Sequence, residues 1–188
     1  MLEGITVELD TLASFPDLPQ AVEEAMTFEE NARRKAVHYS TLTGLITLAD
    51  DSGLEVDVLS GEPGVHSARY AGADGDEAAN NAKLVRKLRG VPMERRTARF
   101  RCVVALAYGK DVIAVAHGAI EGVIVDEARG RNGFGYDPHF LVPEFGVTTA
   151  EMPREQKNRI SHRGRALLAI RPAIERVFNE GSVAGAEE

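Results

Sequence analysis

The sequence predicts a mixed α/β (α+β) fold, a mixed central sheet flanked by helices. Strand-like and helix-like segments mix along the chain without strict alternation, which disfavours a doubly wound sheet. One hairpin is plain, because "TARFRCVVALAYG" and "DVIAVAHG" are separated only by Lys110. No internal repeat, low-complexity tract or linker interrupts the 188 residues, a length that suits one domain with a sizeable core. The expected organisation is a single domain over residues 1–188.

"ITVEL" (residues 5–9) alternates apolar and polar residues and predicts a first strand, followed by the Pro-punctuated loop "SFPDLP". "TFEENARRKAVHYSTLTG" carries the strongest helix signal. Thr27 and Glu30 stand in a capping-box arrangement, Phe28, Ala32, Ala36, Tyr39 and Leu42 follow at helical spacing, and Gly44 suits the C-terminal cap. "LITLA" (residues 45–49) predicts a short buried strand ending at an aspartate pair, with "LEVDVL" as a second strand. "GEPGVHSARYAG" is a loop, and "DEAANNAKLVRKLRG" a helix ending at Gly90. After the hairpin, "AIEGVIV" supplies another strand and "DEARGRNGFGYDPHF" a long loop. The last helix is "SHRGRALLAIRPAIERVF", with Ser161 as its N-cap and Pro172 expected to kink or split it. The "GSVAGAEE" tail is expected to fray.

With 44% hydrophobic and 27% charged residues, the composition is that of an ordinary globular protein. A net charge of -7 argues against a broad basic surface for nucleic acid, although a local cluster of Lys, Arg and His can still hold phosphates. Cys102 is the single cysteine, so disulfides within the chain are excluded, and its apolar neighbours make it a buried strand residue rather than a nucleophile. No stretch approaches the roughly 20 apolar residues of a membrane span, and the N-terminus lacks a signal pattern. The expectation is a cytoplasmic protein with no membrane partner.

Three groups of residues could carry chemistry. The first is "LADDSGLEVD". On an extended strand Asp50 and Asp51 point to opposite faces, so one of them could bind Mg²⁺ while the other braces the turn or points to a second pocket. Magnesium needs few carboxylates beside water and substrate phosphates, and "VEEAMTFEEN" offers Glu23, Glu24, Glu29 and Glu30 as a second ligand. Taken alone, these residues favour a turn with Asx hydrogen bonds and a solvated helix start. The second group is "GRNGFGYDPHF", whose glycine spacing fits neither a phosphate loop nor a dinucleotide fingerprint. Phe134 and Tyr136 between glycines offer aromatic faces for a purine, and equally a hydrophobic plug over the sheet edge. The third is "EMPREQKNRISHRGRA", where Lys157, His162 and Arg163 gather donors near the start of the last helix. Cations gain nothing from that helix dipole, which weakens the alternative of a merely solvated basic face.

Together, "TFEENARRKA", "LADDSGLEVDVLSGEPGVHSARYAG", "GRNGFGYDPHF" and "KNRISHRGRALL" resemble the inosine/xanthosine triphosphate pyrophosphatase family, in its order and spacing, over residues 27–168. The resemblance implies Mg²⁺-dependent hydrolysis of ITP, dITP and XTP at the α–β phosphoanhydride. The products would be a nucleoside monophosphate and pyrophosphate, keeping deaminated purines out of DNA and RNA. It implies Asp51 as catalytic and metal-binding residue and Glu23 as the acidic metal-associated position, with Glu24 or Glu30 as alternatives. It further implies Lys35 and Ser52 as substrate contacts, Phe134, Gly135, Tyr136 and Asp137 as the base-binding loop, and Lys157, His162 and Arg163 as the remaining base and phosphate contacts. A homodimer is implied as well. Donors at those positions agree with a 6-keto base and leave adenine's amine facing donors. Guanine shares the 6-keto group, so its rejection has to come from crowding or an unpaired amine near C2. The family opens with a strand and a Thr/Ser-x-Asn-x-x-Lys phosphate loop, whereas "MLEGITVELDTL" matches the segment after the first helix. On that comparison the strand and loop are expected to be lacking, and the alternative reading is a truncated nucleotide-binding paralogue, catalytically weak or inactive.

Overall fold

The computed structural model describes residues 7–72 and 75–183. Its regular elements are α1 (Phe28–Thr43), β1 (Thr47–Val56), α2 (Glu77–Lys87), β2 (Thr97–Tyr108), β3 (Asp111–Ile124), β4 (Phe140–Val142), β5 (Val147–Thr148), α3 (Arg154–Ile160) and α4 (His162–Val183). The strands form one sheet in the order β1-β2-β3-β4-β5. The two-residue connection makes β2 and β3 a hairpin. β3 and β4 pair antiparallel with Val123 opposite Leu141, and β4 and β5 with Leu141 opposite Thr148.

The residues divide into two compact units: Met1–Asp51, Val103–His117 and Ala166–Glu188 make the first, and Ser52–Cys102 and Gly118–Arg165 the second. The chain passes between them at four points, which fall inside β1, β2, β3 and α4.

In the first unit, α1 forms as its sequence predicts. The Thr27 hydroxyl accepts the Glu30 N–H at 3.1 Å, one half of the capping box, while the Glu30 carboxylate pairs with Arg34. Gly44 closes the helix at φ 71°, in the left-handed region that favours glycine. Phe28, Asn31, Ala32, Ala36 and Ser40 are buried. Ser40 ties the helix to the β2–β3 hairpin, accepting from the Gly109 N–H at 2.8 Å while its hydroxyl donates to the Leu45 carbonyl at 2.6 Å. Leu42 is exposed, as are Leu45 and Leu48, so "LITLA" is not the buried strand that its apolar run predicts. Among residues 5–9, Ile5 and Thr6 lie outside the described residues, and Val7–Leu9 have no regular structure, so no strand forms over that described part.

The second unit packs Leu54, Val56, Leu84, Leu88, Phe100, Ile124, Phe140 and Met152 into one core. Its helix α2 is capped by Asp76, whose carboxylate accepts the Ala79 N–H at 2.9 Å, and it ends at Lys87 with Leu88 as C-cap, before the predicted Gly90. β1 and β3 are longer than predicted. β1 continues through Asp50-Asp51-Ser52-Gly53 without a turn, and β3 takes in the segments predicted as two strands. Ser161 caps α4, accepting the Gly164 N–H at 3.1 Å. α4 runs on through Pro172 as one element. The proline removes the donor to the Leu168 carbonyl, but Leu168 is half exposed and water can take that bond. Of the tail, residues 184–188 lie outside the described residues. Cys102 is fully buried in β2, as expected.

Candidate active site

In the first unit, helical spacing puts Asn31 and Lys35 one turn apart on α1, and both reach Asp51. Lys35 Nζ donates to Asp51 Oδ1 at 3.0 Å, and Asn31 Nδ2 donates to Asp51 Oδ2 at 3.1 Å. Lys35 Nζ also donates to Glu23 Oε2 at 3.0 Å. Asn31 is itself fixed, its Oδ1 accepting the Ala25 N–H at 3.0 Å. Burial pushes the Asp51 carboxyl above the usual carboxylate range, against the charge and hydrogen bonds of Lys35 and Asn31. For Lys35 burial alone would lower the ammonium, but the charges and hydrogen bonds of Asp51 and Glu23 outweigh it and raise it. A desolvated carboxylate with a raised pKa is a stronger proton acceptor than a solvated one.

Glu23 and Asp51 thus share one cationic centre. A carboxylate pair of this kind fits Mg²⁺, which takes one or two carboxylates and completes its shell with water and phosphate oxygens. Among the described residues no group of three or more His, Cys, Asp and Glu forms an all-protein metal cage. Of the other predicted alternatives, Glu29 pairs with Arg33 and His117, and Glu30 with Arg34.

The second unit holds the remaining predicted residues. A cavity of about 160 Å³ is lined by Ser52, Leu54, Phe100, Phe134, Tyr136 and His162, among others. The two loop aromatics do different jobs. Tyr136 is buried in the core and donates its hydroxyl to the Ser67 carbonyl at 2.8 Å. Burial pushes its phenol far up, so it stays a donor. Phe134 is 54% exposed, and it is the face open to a planar ligand. Lys157 Nζ lies 5.2 Å and Arg163 Cζ 5.5 Å from its ring centroid. Arg163 Nη2 also donates to Ser52 Oγ at 3.0 Å. His162 stacks on Phe100 at 4.9 Å with the rings 17° apart. Asp137 pairs with Lys157 and accepts the Phe134 N–H at 2.8 Å, while the Gly135 carbonyl accepts from Asn81 at 2.9 Å.

Sequence reasoning misses Asn31, Asn81 and Thr149. Asn31 leaves a trace, as a polar residue among the buried positions of an apolar helix face. The other two act through residues about 54 and 12 positions away, which no local pattern reports.

The sequence profile of the Ham1 family matches residues 1–173. The chain is 52% identical over 171 residues to a Geobacter sulfurreducens protein named dITP/XTP pyrophosphatase, covering 91% of this chain and 86% of that protein. It is 48% identical over 178 residues to a Desulforamulus reducens protein of the same name, covering 95% and 89%. Among solved structures, a HAM1 protein from Coxiella burnetii superposes with a TM-score of 0.83 at 40% identity, covering 95% of this chain and 90% of that one.

Proposed function

The chain belongs to the Ham1 family, and from that premise we propose that it hydrolyses ITP, dITP and XTP to the nucleoside monophosphate and pyrophosphate. The observation that carries the proposal is the apolar cavity of the second unit, lined by Phe134 and His162, with the Lys157 ammonium and the Arg163 guanidinium over the Phe134 ring. The relatives named dITP/XTP pyrophosphatase support dITP and XTP among these substrates.

In this reading a 6-keto purine lies on Phe134 and accepts from the Lys157–His162–Arg163 donor set. Adenine would set its amine against those donors, and each unmade bond costs about 1–3 kcal/mol, roughly 5- to 150-fold. The loop over residues 134–137 frames the base, while Ser52 and Lys35 contact the rest of the nucleotide. Asp51 is the general base: its carboxylate takes a proton from water as the water oxygen bonds to phosphorus. The α–β anhydride breaks, and its electron pair leaves with pyrophosphate. Glu23 and Asp51 would hold Mg²⁺, which when bound offsets the charge of the leaving pyrophosphate. Lys35, which pairs with Glu23 and Asp51, is the cation that would turn to a phosphate oxygen if those carboxylates held the metal. The reading extends to a cytoplasmic homodimer without a nucleic-acid partner, the last supported by the net charge of -7. Among the described residues no helix is long and apolar enough to cross a membrane.

The test is pyrophosphate release from ITP, dITP, XTP, ATP and GTP with Mg²⁺. Fast release from the first three and slow release from ATP is the expected result. Equal rates on ITP and ATP would overturn the specificity, and no release from any of them would overturn the activity.

A further inference from the structure

On the reading of the cavity just proposed, we infer that Asp137 and Thr149 form a positioning pair that aims the Lys157 ammonium at the base. Asp137 is only 3% exposed and both its carboxylate oxygens are engaged inside the protein. Oδ2 accepts the Phe134 N–H at 2.8 Å and the Lys157 ammonium. Oδ1 accepts the Thr149 hydroxyl at 2.6 Å. That hydroxyl also lies 3.3 Å from the Asp137 carbonyl, but it has one proton, and the shorter contact to a charged acceptor keeps it. Thr149 is 2% exposed and is held in turn by its own N–H, which donates to the Phe140 carbonyl at 3.0 Å. The carboxylate is therefore fixed from the base loop, from α3 and from the turn after β5.

Lys157 has three N–H donors. One is spent on Asp137, and the direction of the others follows from where Asp137 Oδ2 stands. The final torsion of an aspartate is broad, so the carboxylate keeps one orientation only while both oxygens are held. Without the Thr149 hydroxyl, Oδ1 loses its buried donor, the carboxylate turns, and Lys157 turns with it. The base loses a well-aimed donor, whereas Asp51, in the first unit, is untouched. Thr149 therefore acts on nucleotide affinity and on ITP-over-ATP selectivity, through Lys157, and not on the hydrolytic step.

The experiment is steady-state kinetics on ITP and ATP for wild type, Thr149→Val, Thr149→Ser, Lys157→Met and the Thr149→Val/Lys157→Met double variant. Thr149→Val should raise KM for ITP on the order of tenfold with kcat nearly unchanged, since a hydrogen bond to a charged group is lost. Its ITP-over-ATP selectivity should fall, and Thr149→Ser, which keeps the hydroxyl, should restore both. In the Lys157→Met background the valine substitution should add no further rise in KM. Wild-type KM and selectivity in Thr149→Val would overturn the inference, as would an equal rise with and without Lys157, which marks a merely structural role. Thr149→Ala takes the place of the valine variant if that one does not fold. A wild-type protein that releases no pyrophosphate from ITP would sink the proposed function. An active wild type with an unaffected Thr149→Val would sink only this inference.

Discussion

Replacing Asp51 by Asn tests the centre of the proposed chemistry, because it keeps the shape and removes the base. In the structure Asp51 accepts from Lys35 at 3.0 Å and from Asn31 at 3.1 Å, one donor on each oxygen. An Asn side chain has one acceptor, so one of those donors would face an NH₂ group. Losing a hydrogen bond to a charged group costs about 1.5–3 kcal/mol. Against that, a neutral amide no longer suffers the burial that pushes the Asp51 carboxyl up. The two effects oppose, and the net loss should stay under about 2 kcal/mol, a fall of a few degrees in Tm for a chain of this size. Turnover should fall far more, by about 10²–10⁴-fold, the usual contribution of a positioned general base. Pyrophosphate release from ITP, ITP binding by calorimetry with Mg²⁺, and thermal unfolding measure the three quantities separately. Wild-type kcat/KM should also fall as pH drops, through a value above the ordinary aspartate figure of about 3.9, because the base must be ionised. Turnover within tenfold of wild type in a folded Asp51→Asn protein would remove Asp51 from the reaction.

Two further perturbations follow from the second unit. Gly133 has φ +82°, and a Cβ there would lie 2.0 Å from Asp137 Oδ2 and 2.6 Å from Lys157 Nζ. Gly133→Ala should therefore lower stability by about 1–3 kcal/mol and raise KM for ITP, and a wild-type Tm with wild-type KM would contradict the packing of this loop. Asp57 has its carboxyl held below the usual range by hydrogen bonds from Arg99 and Thr97. A carboxyl with a depressed folded-state pKa contributes stability above its unfolded value and loses it as pH falls through the folded one. Urea unfolding should accordingly show Asp57→Asn destabilised at pH 7 and closer to wild type at pH 3, and an equal deficit at both would refute the linkage.

Local chemistry explains what the sequence makes legible. The Thr27 cap, the Gly44 terminus and the Ser161 cap each depend on residues within four positions, and the structure has all three. Apolar spacing identifies α1 but not how far its buried face extends, so Leu42 reads as core and is exposed. β4 and β5 span three residues and two, too short for any alternation to register. α3 ends one residue before the cap of α4, so the two read as one donor-rich approach to a single helix.

The aspartate pair is the more instructive case. Asp, Ser and Gly are poor strand formers, so Asp50-Asp51-Ser52-Gly53 reads locally as a turn, yet β1 runs straight through it. Strand propensity is weak enough, about 1 kcal/mol across its whole scale, to be overridden by side-chain partners. Asp51 finds Lys35 and Asn31, and Ser52 finds Arg163, the last 111 positions away. The strand's period of two then sends these neighbours to opposite faces. A turn would free both side chains into solvent, where no burial would raise the Asp51 carboxyl and no fixed lysine would hold it in place. The extended backbone that the sequence disfavours is thus the condition for the base that the proposed hydrolysis requires.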